Sequence, residues 1–558
     1  MYLPLTICIN AIKIFYLSGM ILVITLMGGS ILINFFWRIF PLGNKDVNKK
    51  LRPWNIILTL CFALVWAAAT AWAEKGDVVK IGIGYDTTTA SIIQMKHGND
   101  IAVIMNMHEA LLTTDPATGK RVPLLAKTIE VLEKGKMLRI VLNEGSLFHT
   151  GDPVTAHDVK FTYDQCANPA NANFLSGALD EIEEITVMDD HTLTFKFWEP
   201  IASWKDLLWI GICSKKYFER VGAEEFHKKP VGSGPFEFVE RSIGESFTLK
   251  AANNHYGKRL DFGTLKFITV PDDMSRLAML ETRELDLVSS ILPHQLRRLK
   301  KNKRLKIKIT SQVPSFFAIS TNPGNFPIMK DKKLKRAINH AINRQEMVDK
   351  IYLEKGYPLY SYANVSELGY DPDFVIEFNP EKAKALLKES TYKPGTPITM
   401  SYSTDIPNAS LVASAVQKYL REIGVTIRLQ KLEVGTKATY TRNRDKRLGA
   451  MGLFSWAGGR DPNNRLKLSS LSTSMYAAYT DRYNKEEYDA IIIAQGRETD
   501  PEKRLKLIAR YHELNFDDPG SFALFGLDMI YAMSKRIEYT WVPNESFVFN
   551  VQSIKIVK

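Results

Sequence analysis

Residues 148–159 of this 558-residue chain read FHTGDPVTAHDV, and this stretch decides the fold around it. Gly151, Asp152 and Pro153 favour a tight turn that ends a strand, because glycine tolerates a left-handed backbone and proline fixes its own φ angle. Thr155 is a good helix N-cap, and Asp158 lies three residues later, where a carboxylate suits the helix dipole. The stretch predicts a strand, a turn and a helix in succession.

Strand and helix patterns alternate on both sides of this turn. Alternation of apolar and polar residues predicts strands at 78–85, 137–143 and 191–198. Helical spacing of apolar residues covers 100–112, 331–352, 380–388, 411–423, 486–495 and 501–514. At Gly424 a helix pattern ends and β-branched residues follow, a joint typical of α/β layering. The sequence therefore predicts an α/β protein.

Composition and charge indicate a globular protein with a real core. Hydrophobic residues make up 45% of the chain and charged residues 24%, with a net charge of +12. Eight of the twelve residues from Arg297 to Lys308 are basic, but without interleaved aromatics or a nucleic-acid-binding motif. We interpret this run as a solvated surface turn and expect no nucleic-acid partner. The absence of long Gly/Ser or Pro linkers predicts short crossovers, which would suit a hinge between lobes.

The front of the chain has the pattern of an export signal. Residues 54–73 are apolar and follow Lys49, Lys50 and Arg52, and small residues at Ala71 and Ala73 form a cleavage site. We predict a signal peptide at 47–73 that is cleaved after Ala73. The earlier apolar stretch 14–36 is long enough to cross a bilayer. Either residues 1–46 include a transmembrane segment, or translation starts later, at Val47; both alternatives place residues 74–558 outside the cytoplasm.

No catalytic or metal-binding pattern is convincing. His108 and Glu109 resemble the start of a zinc-protease motif, but Leu112 stands where the second histidine belongs. The ten histidines are scattered without ligand spacing. Cys166 and Cys213 follow the signal segment, and they are either a single disulfide or two small apolar core residues. We predict no cofactor, no metal site and no enzymatic activity.

Several motifs, in the expected order, resemble family 5 of the bacterial solute-binding proteins, which includes receptors for oligopeptides, dipeptides and nickel chelates. The resemblance extends over about residues 78–540. The stretch at 148–159 is the most specific part. The motifs lie at 108–115 with 122–126, 148–159, 230–236, 254–257, 334–344 and 379–387. Gly232 and Gly234, within the third motif, are interpreted as scaffold positions where the backbone needs close approach or a positive φ.

The resemblance implies the type II periplasmic-binding-protein fold, with two α/β lobes that close on a solute. The first lobe would hold residues 74–312, with an extra subdomain at about 113–227. The second lobe would hold 313–518, and residues 519–558 would return to the first. The implied partners are a small solute or peptide and the permease of an ABC importer, and we expect a monomer.

The same resemblance points to a pocket loop at 453–462. Trp456 matches the family's pocket tryptophan and is either a wall of the pocket or a residue of the packed core. Gly459 stands where the family has an acid that pairs with the α-amine of a peptide. Asp461 either substitutes for that acid or caps the turn before Pro462. Arg460 either favours an anionic group or faces solvent. Gly458 belongs to the same predicted loop.

Weaker solute-binding candidates lie elsewhere in the chain. They are Thr88, in the Thr87–Thr89 loop, and Phe174 in the first lobe, with Asn322 near the expected hinge. The leading hypothesis is a transport receptor for a peptide or a similar small solute. The alternatives are a receptor for a metal chelate or an anionic non-peptide solute and, third, an exported hydrolase.

Overall fold

The computed structural model describes two units, at residues 1–76 and 77–558. The described residues are 12–17, 20–27, 30–37 and 78–557, except 116–117, 254, 256, 258–259, 312–314, 405, 458, 475, 477–484, 541–548 and 550. In the first unit, three strands form an antiparallel sheet: Ile12–Leu17, Met20–Met27 and Ser30–Trp37. The predicted signal peptide at 47–73 and its cleavage site lie outside the described residues. Among the residues described, no helix has the length and hydropathy needed to cross a membrane.

A seven-stranded mixed sheet forms the centre of the first lobe. Val78–Ile83 lies in its middle, parallel to both of its neighbours. In spatial order the strands are Phe236–Ser242, Ser246–Ala251, Thr264–Thr269, Val78–Ile83, Leu287–Val288, Met529–Ser534 and Leu305–Thr310. The helices before and after the sheet strands of this lobe are Gly98–Ile104, Asp273–Glu281 and Leu296–Lys301.

A six-stranded mixed sheet forms the centre of the second lobe. Its strands, in spatial order, are Gly356–Pro358, Ser521–Leu527, Ser315–Thr321, Met451–Ala457, Ile398–Tyr402 and Ile427–Lys431. The helices of this part of the chain are Lys332–Ala341, Arg344–Ile351, Pro380–Lys388, Ala409–Glu422, Val434–Arg442, Asn463–Ser470, Lys485–Arg497 and Pro501–Asp517. Apolar side chains from the helices and the strands form two buried clusters.

The chain passes between the two large sheets twice. The first passage lies between Thr310, the end of an edge strand of the first sheet, and Ser315 in the second. The return passage is at Asp528, between Leu527 of one sheet and Met529 of the other. The sequence analysis puts this return at about residue 519, but Ser521–Leu527 still pairs within the second sheet. The side chains of the two passages meet, because Ser311 Oγ donates to Asp528 Oδ1 over 2.8 Å.

A four-stranded antiparallel sheet lies within the predicted subdomain of residues 113–227. Its strands, in spatial order, are Ala126–Leu132, Met137–Leu142, Thr192–Phe197 and Ile182–Val187. The helices of this segment are Ala156–Ala167, Ser176–Leu179, Lys215–Val221 and Ala223–Lys228. Just before this sheet, a short hairpin pairs Leu112–Thr114 with Arg121–Pro123.

The stretch at 148–159 folds as its chemistry predicts. Gly151 has a φ of 84°, inside the left-handed region that favours glycine. Thr155 and Asp158 form a capping box, in which the Thr155 amide and hydroxyl both donate to the Asp158 carboxylate, at 2.9 and 2.7 Å. Asp158 also accepts from the Lys215 amide at 2.9 Å. Asp158 therefore holds the start of helix Lys215–Val221 as well as the start of its own helix, Ala156–Ala167.

Gly232 and Gly234 permit a close approach of two backbone segments. A Cβ atom on Gly232 would lie 2.0 Å from the Met107 carbonyl oxygen, and one on Gly234 would lie 2.6 Å from the Met107 carbonyl carbon. The Gly234 amide donates to that same oxygen over 2.9 Å. The predicted scaffold role is confirmed, and its reason is contact rather than a positive φ.

One predicted helix is divided in two. Helical spacing runs from 331 to 352, but Ile342 and Asn343 have extended backbone angles between Ala341 and Arg344. The Asn343 side chain accepts from the Glu346 amide at 3.0 Å and so caps a new helix. Apolar spacing alone does not reveal this break.

Candidate functional site

A cleft of about 290 Å³ opens between the two lobes. One wall comes from the hairpin at 112–123 and from residues 202–206, in the part of the chain that includes the subdomain. The other wall comes from residues 459–461 of the second lobe. The cleft therefore contains three residues of the predicted pocket loop, Gly459, Arg460 and Asp461.

Arg121 is held in the first wall by contacts on several sides. Its guanidinium donates to Thr114 Oγ1 over 2.9 Å, and its Nε lies 3.8 Å from Asp206 Oδ1. The same group lies 5.9 Å from the centroid of the Trp209 ring, a cation–π distance. These contacts restrict the guanidinium to one position at the cleft.

Asp461 is committed to a partner within its own lobe. Its carboxylate receives two hydrogen bonds from Arg504, of 2.6 and 2.7 Å. It also accepts from the Asn463 amide at 2.9 Å, as an acid in a capped turn does. The geometry matches the turn-capping alternative, and the carboxylate charge is balanced by Arg504.

Gly459 faces the opposite wall at short range. A Cβ atom on this glycine would lie 3.6 Å from Asp206 Oδ2. Beside it, the Arg460 carbonyl accepts from the Leu368 amide over 2.7 Å, which anchors the backbone of the loop while the residue lines the cleft. Larger side chains at position 459 would therefore narrow the space between the lobes.

Trp456 is buried in an aromatic cluster and is not among the residues that line this cleft. Only 6% of the residue is exposed. Its ring centroid lies 5.1 Å from that of Tyr476, 6.2 Å from Phe454 and 6.3 Å from Tyr362. Its indole Nε1 is buried without a hydrogen-bond partner among the residues that the structure describes. Trp456 is thus a packing residue that also carries an unused donor.

The other predicted residues are spread over the molecule. Thr88 is exposed, and its amide and hydroxyl donate to the Asp100 carboxylate over 2.7 and 2.6 Å. Phe174 is 41% exposed. Asn322 is fully buried, and its side chain donates to the Gly449 carbonyl at 3.0 Å, which is a structural role. Gly458 lies outside the described residues.

Contacts between the lobes continue next to the cleft. Asn463 Nδ2 donates to Ser203 Oγ over 2.9 Å, and the Ala202 amide donates to the Gly496 carbonyl over 2.8 Å. Lys467 forms an ion pair with Glu181 across the same boundary. The two walls are therefore held together at one rim.

The sequence analysis missed the charged residues of the first wall. Lys120, Arg121, Lys205 and Asp206 all line the cleft. The only available signal was the pair of basic residues directly after the turn at 114–119, which on its own looks like a solvated loop. Their convergence with residues 459–461 depends on contacts far apart in the chain.

A second cluster of titratable residues surrounds the glycine contacts of the scaffold. His108 Nδ1 lies 3.0 Å from the Ile212 carbonyl, and burial lowers the His108 pKa to about 4. His255 Nε2 lies 3.1 Å from Glu109 Oε1. Within the described part of the chain, no group of His, Cys, Asp or Glu has an arrangement suited to a metal ion. Cys166 and Cys213 are free and buried, which matches the core-residue alternative.

Residues 120–500 match the profile described as bacterial extracellular solute-binding proteins, family 5 Middle. The chain belongs to this family. The match covers most of the first wall of the cleft, all of the second wall and most of the second lobe. The resemblance inferred from the six sequence motifs is therefore confirmed.

Curated relatives of this family 5 protein cover most of its length. The glutathione-binding protein GsiB of Salmonella paratyphi A is 25% identical over 513 residues, which cover 88% of this chain and 96% of the relative. The dipeptide-binding protein of Escherichia coli K12 is 25% identical over 437 residues, covering 72% and 80%.

Solved structures of ABC transporter proteins share the fold. The substrate-binding protein CtaP of Listeria monocytogenes superimposes with a TM-score of 0.78 at 21% identity, covering 87% of this chain and 100% of that one. DppA of Helicobacter pylori, in complex with the peptide STSA, gives 0.73 at 21% identity, covering 86% and 98%. This family 5 protein has the two-lobed α/β fold of type II periplasmic binding proteins, with a subdomain in the first lobe.

Proposed function

We propose that this protein captures a peptide or a similar small solute between its lobes and delivers it to the permease of an ABC importer. The observation that carries the proposal is the cleft lined by residues of both lobes, with a volume of about 290 Å³. That volume is near the lower end of small-molecule sites, which range from roughly 300 to 1,000 Å³. Closure on a solute would exclude water and strengthen each polar contact.

The relatives support a peptide as the solute. Those named above are called glutathione-binding and dipeptide-binding proteins. A metal chelate or an anionic non-peptide solute is not favoured. Binding without turnover fits a family of solute-binding proteins, and we propose that the solute leaves the cleft unaltered.

We propose that the protein acts outside the cytoplasm as a monomer. The description of its family as extracellular supports this location. Cleavage after Ala73 remains a prediction, which N-terminal sequencing of the exported protein tests. A protein that keeps residues 47–73 after export would contradict it.

Gly459→Leu tests whether the cleft is the site of capture. The leucine side chain would occupy the gap between the Gly459 backbone and Asp206, so peptide affinity should fall at least about tenfold. Isothermal titration calorimetry with short peptides measures the affinity, and mass spectrometry of the recovered peptide checks that it is intact.

Gly435→Leu is the matched control. A Cβ atom on Gly435 meets no atom within 4 Å, so the same side chain is added to open space. We expect this variant to bind peptides as the parent protein does. Unchanged affinity in Gly459→Leu would show that the peptide is not captured in this cleft. A hydrolysed peptide would contradict binding without turnover.

A further inference from the structure

A basic surface of the first lobe takes no part in the proposed capture of peptides. The run from Arg297 to Lys308 folds as helix Leu296–Lys301, a turn, and the edge strand Leu305–Thr310. Exposed cations of this helix and turn lie next to another exposed cation in the turn after strand Met529–Ser534. We call these residues the basic end: Arg297, Lys300, Lys301, Lys303, Arg304 and Lys535.

Hydrogen bonds hold the two turns of the basic end together. Asn302 Oδ1 accepts from the Arg304 amide over 3.0 Å, and the Leu305 amide donates to the Asn302 carbonyl over 3.1 Å. The Lys535 amide donates to the Arg304 carbonyl over 3.0 Å. Cations distant in sequence are therefore neighbours on one surface.

The helix of the basic end exposes cations alone. Arg297, Lys300 and Lys301 are spaced three and four residues apart, so they share one side of the helix. Leu296 and Leu299 are only 6% and 1% exposed and belong to the core of the lobe. The exposed side of the helix thus lacks the apolar centre that a protein–protein interface usually has.

Carboxylates near the basic end are already paired with other cations. Glu281 accepts from Arg298 Nε over 3.0 Å, and Glu538 lies 3.6 Å from Lys306 Nζ. Among the residues that the structure describes, the six cations of the basic end form no ion pair with a carboxylate. An anionic partner would therefore relieve their mutual repulsion.

The basic end is separate from the cleft. Strand Leu305–Thr310 begins beside it and ends at the first passage between the lobes, and its length is roughly 17 Å. None of the six residues lines the cleft. A partner at the basic end would contact the first lobe and leave the cleft accessible to a solute.

We propose that the basic end attaches the protein to an anionic lipid surface. Delivery to a permease brings the protein to a membrane, whose headgroups offer many negative charges in one plane. Each Lys or Arg near such a surface strengthens binding about fivefold, without a shaped pocket. The inference goes beyond peptide capture and takes from the proposed function only that the permease lies in a membrane.

Sedimentation with lipid vesicles tests the attachment. The full chain should bind vesicles that contain phosphatidylglycerol at least about tenfold more tightly than vesicles of phosphatidylcholine alone. This ratio of affinities should fall as the salt concentration rises, since added ions screen exposed charges. Apolar contacts with lipid contribute to both kinds of vesicle and so cancel from the ratio.

Two triple variants connect the ratio to the basic end. Lys300, Lys301 and Lys303 are exposed, so their replacement is compatible with folding. Changing all three to glutamine should lower the ratio at least about fivefold, whereas changing all three to arginine keeps the charge and should keep the ratio. The front of the chain is the same in every variant, so its contribution cancels in the comparison.

A third variant is the matched control. It removes the same number of charges from three exposed lysines that lie outside the basic end, by Lys127→Gln, Lys393→Gln and Lys431→Gln. We expect this control to keep the ratio of the parent protein. Equal losses in the control and in the glutamine variant of the basic end would overturn the assignment to this surface.

The other outcomes separate the attachment from peptide capture. Equal affinities of the parent protein for the two kinds of vesicle would overturn the attachment and leave peptide capture intact, because vesicle binding needs no peptide. Binding to soluble polyglutamate but not to either kind of vesicle would assign the basic end to an acidic protein and overturn the lipid surface as its partner.

Discussion

The scaffold around residues 148–159 and the cleft between the lobes satisfy their polar groups in different ways. In the scaffold, Thr155, Asp158 and the Gly234 amide all form their hydrogen bonds within the lobe. In the cleft, charged side chains from both lobes line an open space of about 290 Å³. The comparison teaches that a closely packed region serves the fold, whereas an open region lined by polar side chains from two lobes offers space for a guest.

The largest effect is expected where the scaffold has no spare space. Gly232→Ala puts a methyl group 2.0 Å from the Met107 carbonyl oxygen. Because backbone rather than a flexible side chain must move, we expect a loss of about 3 kcal/mol or more in the free energy of unfolding. Urea denaturation measures it. Gly177→Ala, where a Cβ meets no atom within 4 Å, should cost little; equal stabilities of the two variants would refute the tight contact.

A double-mutant cycle on Asp461 and Arg504 tests the cleft, where Asp461 is paired within its own lobe. Asp461→Asn leaves the guanidinium of Arg504, whose side chain is 7% exposed, with a weaker partner, so unfolding should cost about 2 kcal/mol less. Arg504→Gln should be similarly destabilising. The double variant should lose less than the two single losses combined, by about 1 kcal/mol or more. Additive losses would show that Asp461 does not stabilise Arg504. Asp461 would then again be a candidate for binding the solute.

Histidines in the two lobes extend the comparison to pH. The ring nitrogens of His512 have no hydrogen-bond partner among the described residues, and burial, with Arg465 nearby, lowers its pKa to about 3 while Asp371 opposes the shift. The unfolded chain, with a histidine pKa of about 6.5, then binds more protons below neutrality. The stability that neutral His512 contributes is complete above the unfolded-state pKa of about 6.5. It is lost as the pH falls from there towards the folded-state pKa of about 3.

His512→Phe removes this proton uptake. Between pH 7 and 5 the parent protein should lose about 2 kcal/mol more stability than the variant, from the ordinary titration of one histidine. Urea unfolding at both pH values gives the difference. His191→Phe, the same exchange at a partly exposed histidine, is the control for replacing an imidazole with a phenyl ring. Parallel curves for the parent protein and His512→Phe would contradict the burial of a neutral ring.

The fold could be predicted from sequence where the conformation of the backbone depends on residues only a few positions apart. Gly151 needs its positive φ, and Thr155 with Asp158 closes a helix start, so spacing within a few residues carries the information. The break at Ile342 and Asn343 was missed because apolar spacing continues across it. Strand Ser521–Leu527 was assigned to the wrong side of the return passage, since pairing in a sheet is decided by neighbours distant in sequence.

The site was only partly readable. Residues 459–461, which were predicted from a contiguous stretch that resembles a family motif, line the cleft, and their contact with a solute stays a prediction. Asn322 has a structural role, and Trp456 packs among aromatic rings, although polar and aromatic residues look the same in a sequence whether they bind or pack. Arg121 and Lys205 escaped notice, since their meeting with Arg460 exists only after folding.

Asp528 is the only residue between a strand of one large sheet and a strand of the other. A link of one residue has almost no slack, so we expect the lobes to rotate about it rather than to slide apart. Displacement then grows with distance from the link, and small angular changes are magnified at remote edges. We expect a receptor built in this way to display its occupancy through the orientation of its outer surfaces, which a partner could recognise without touching the guest.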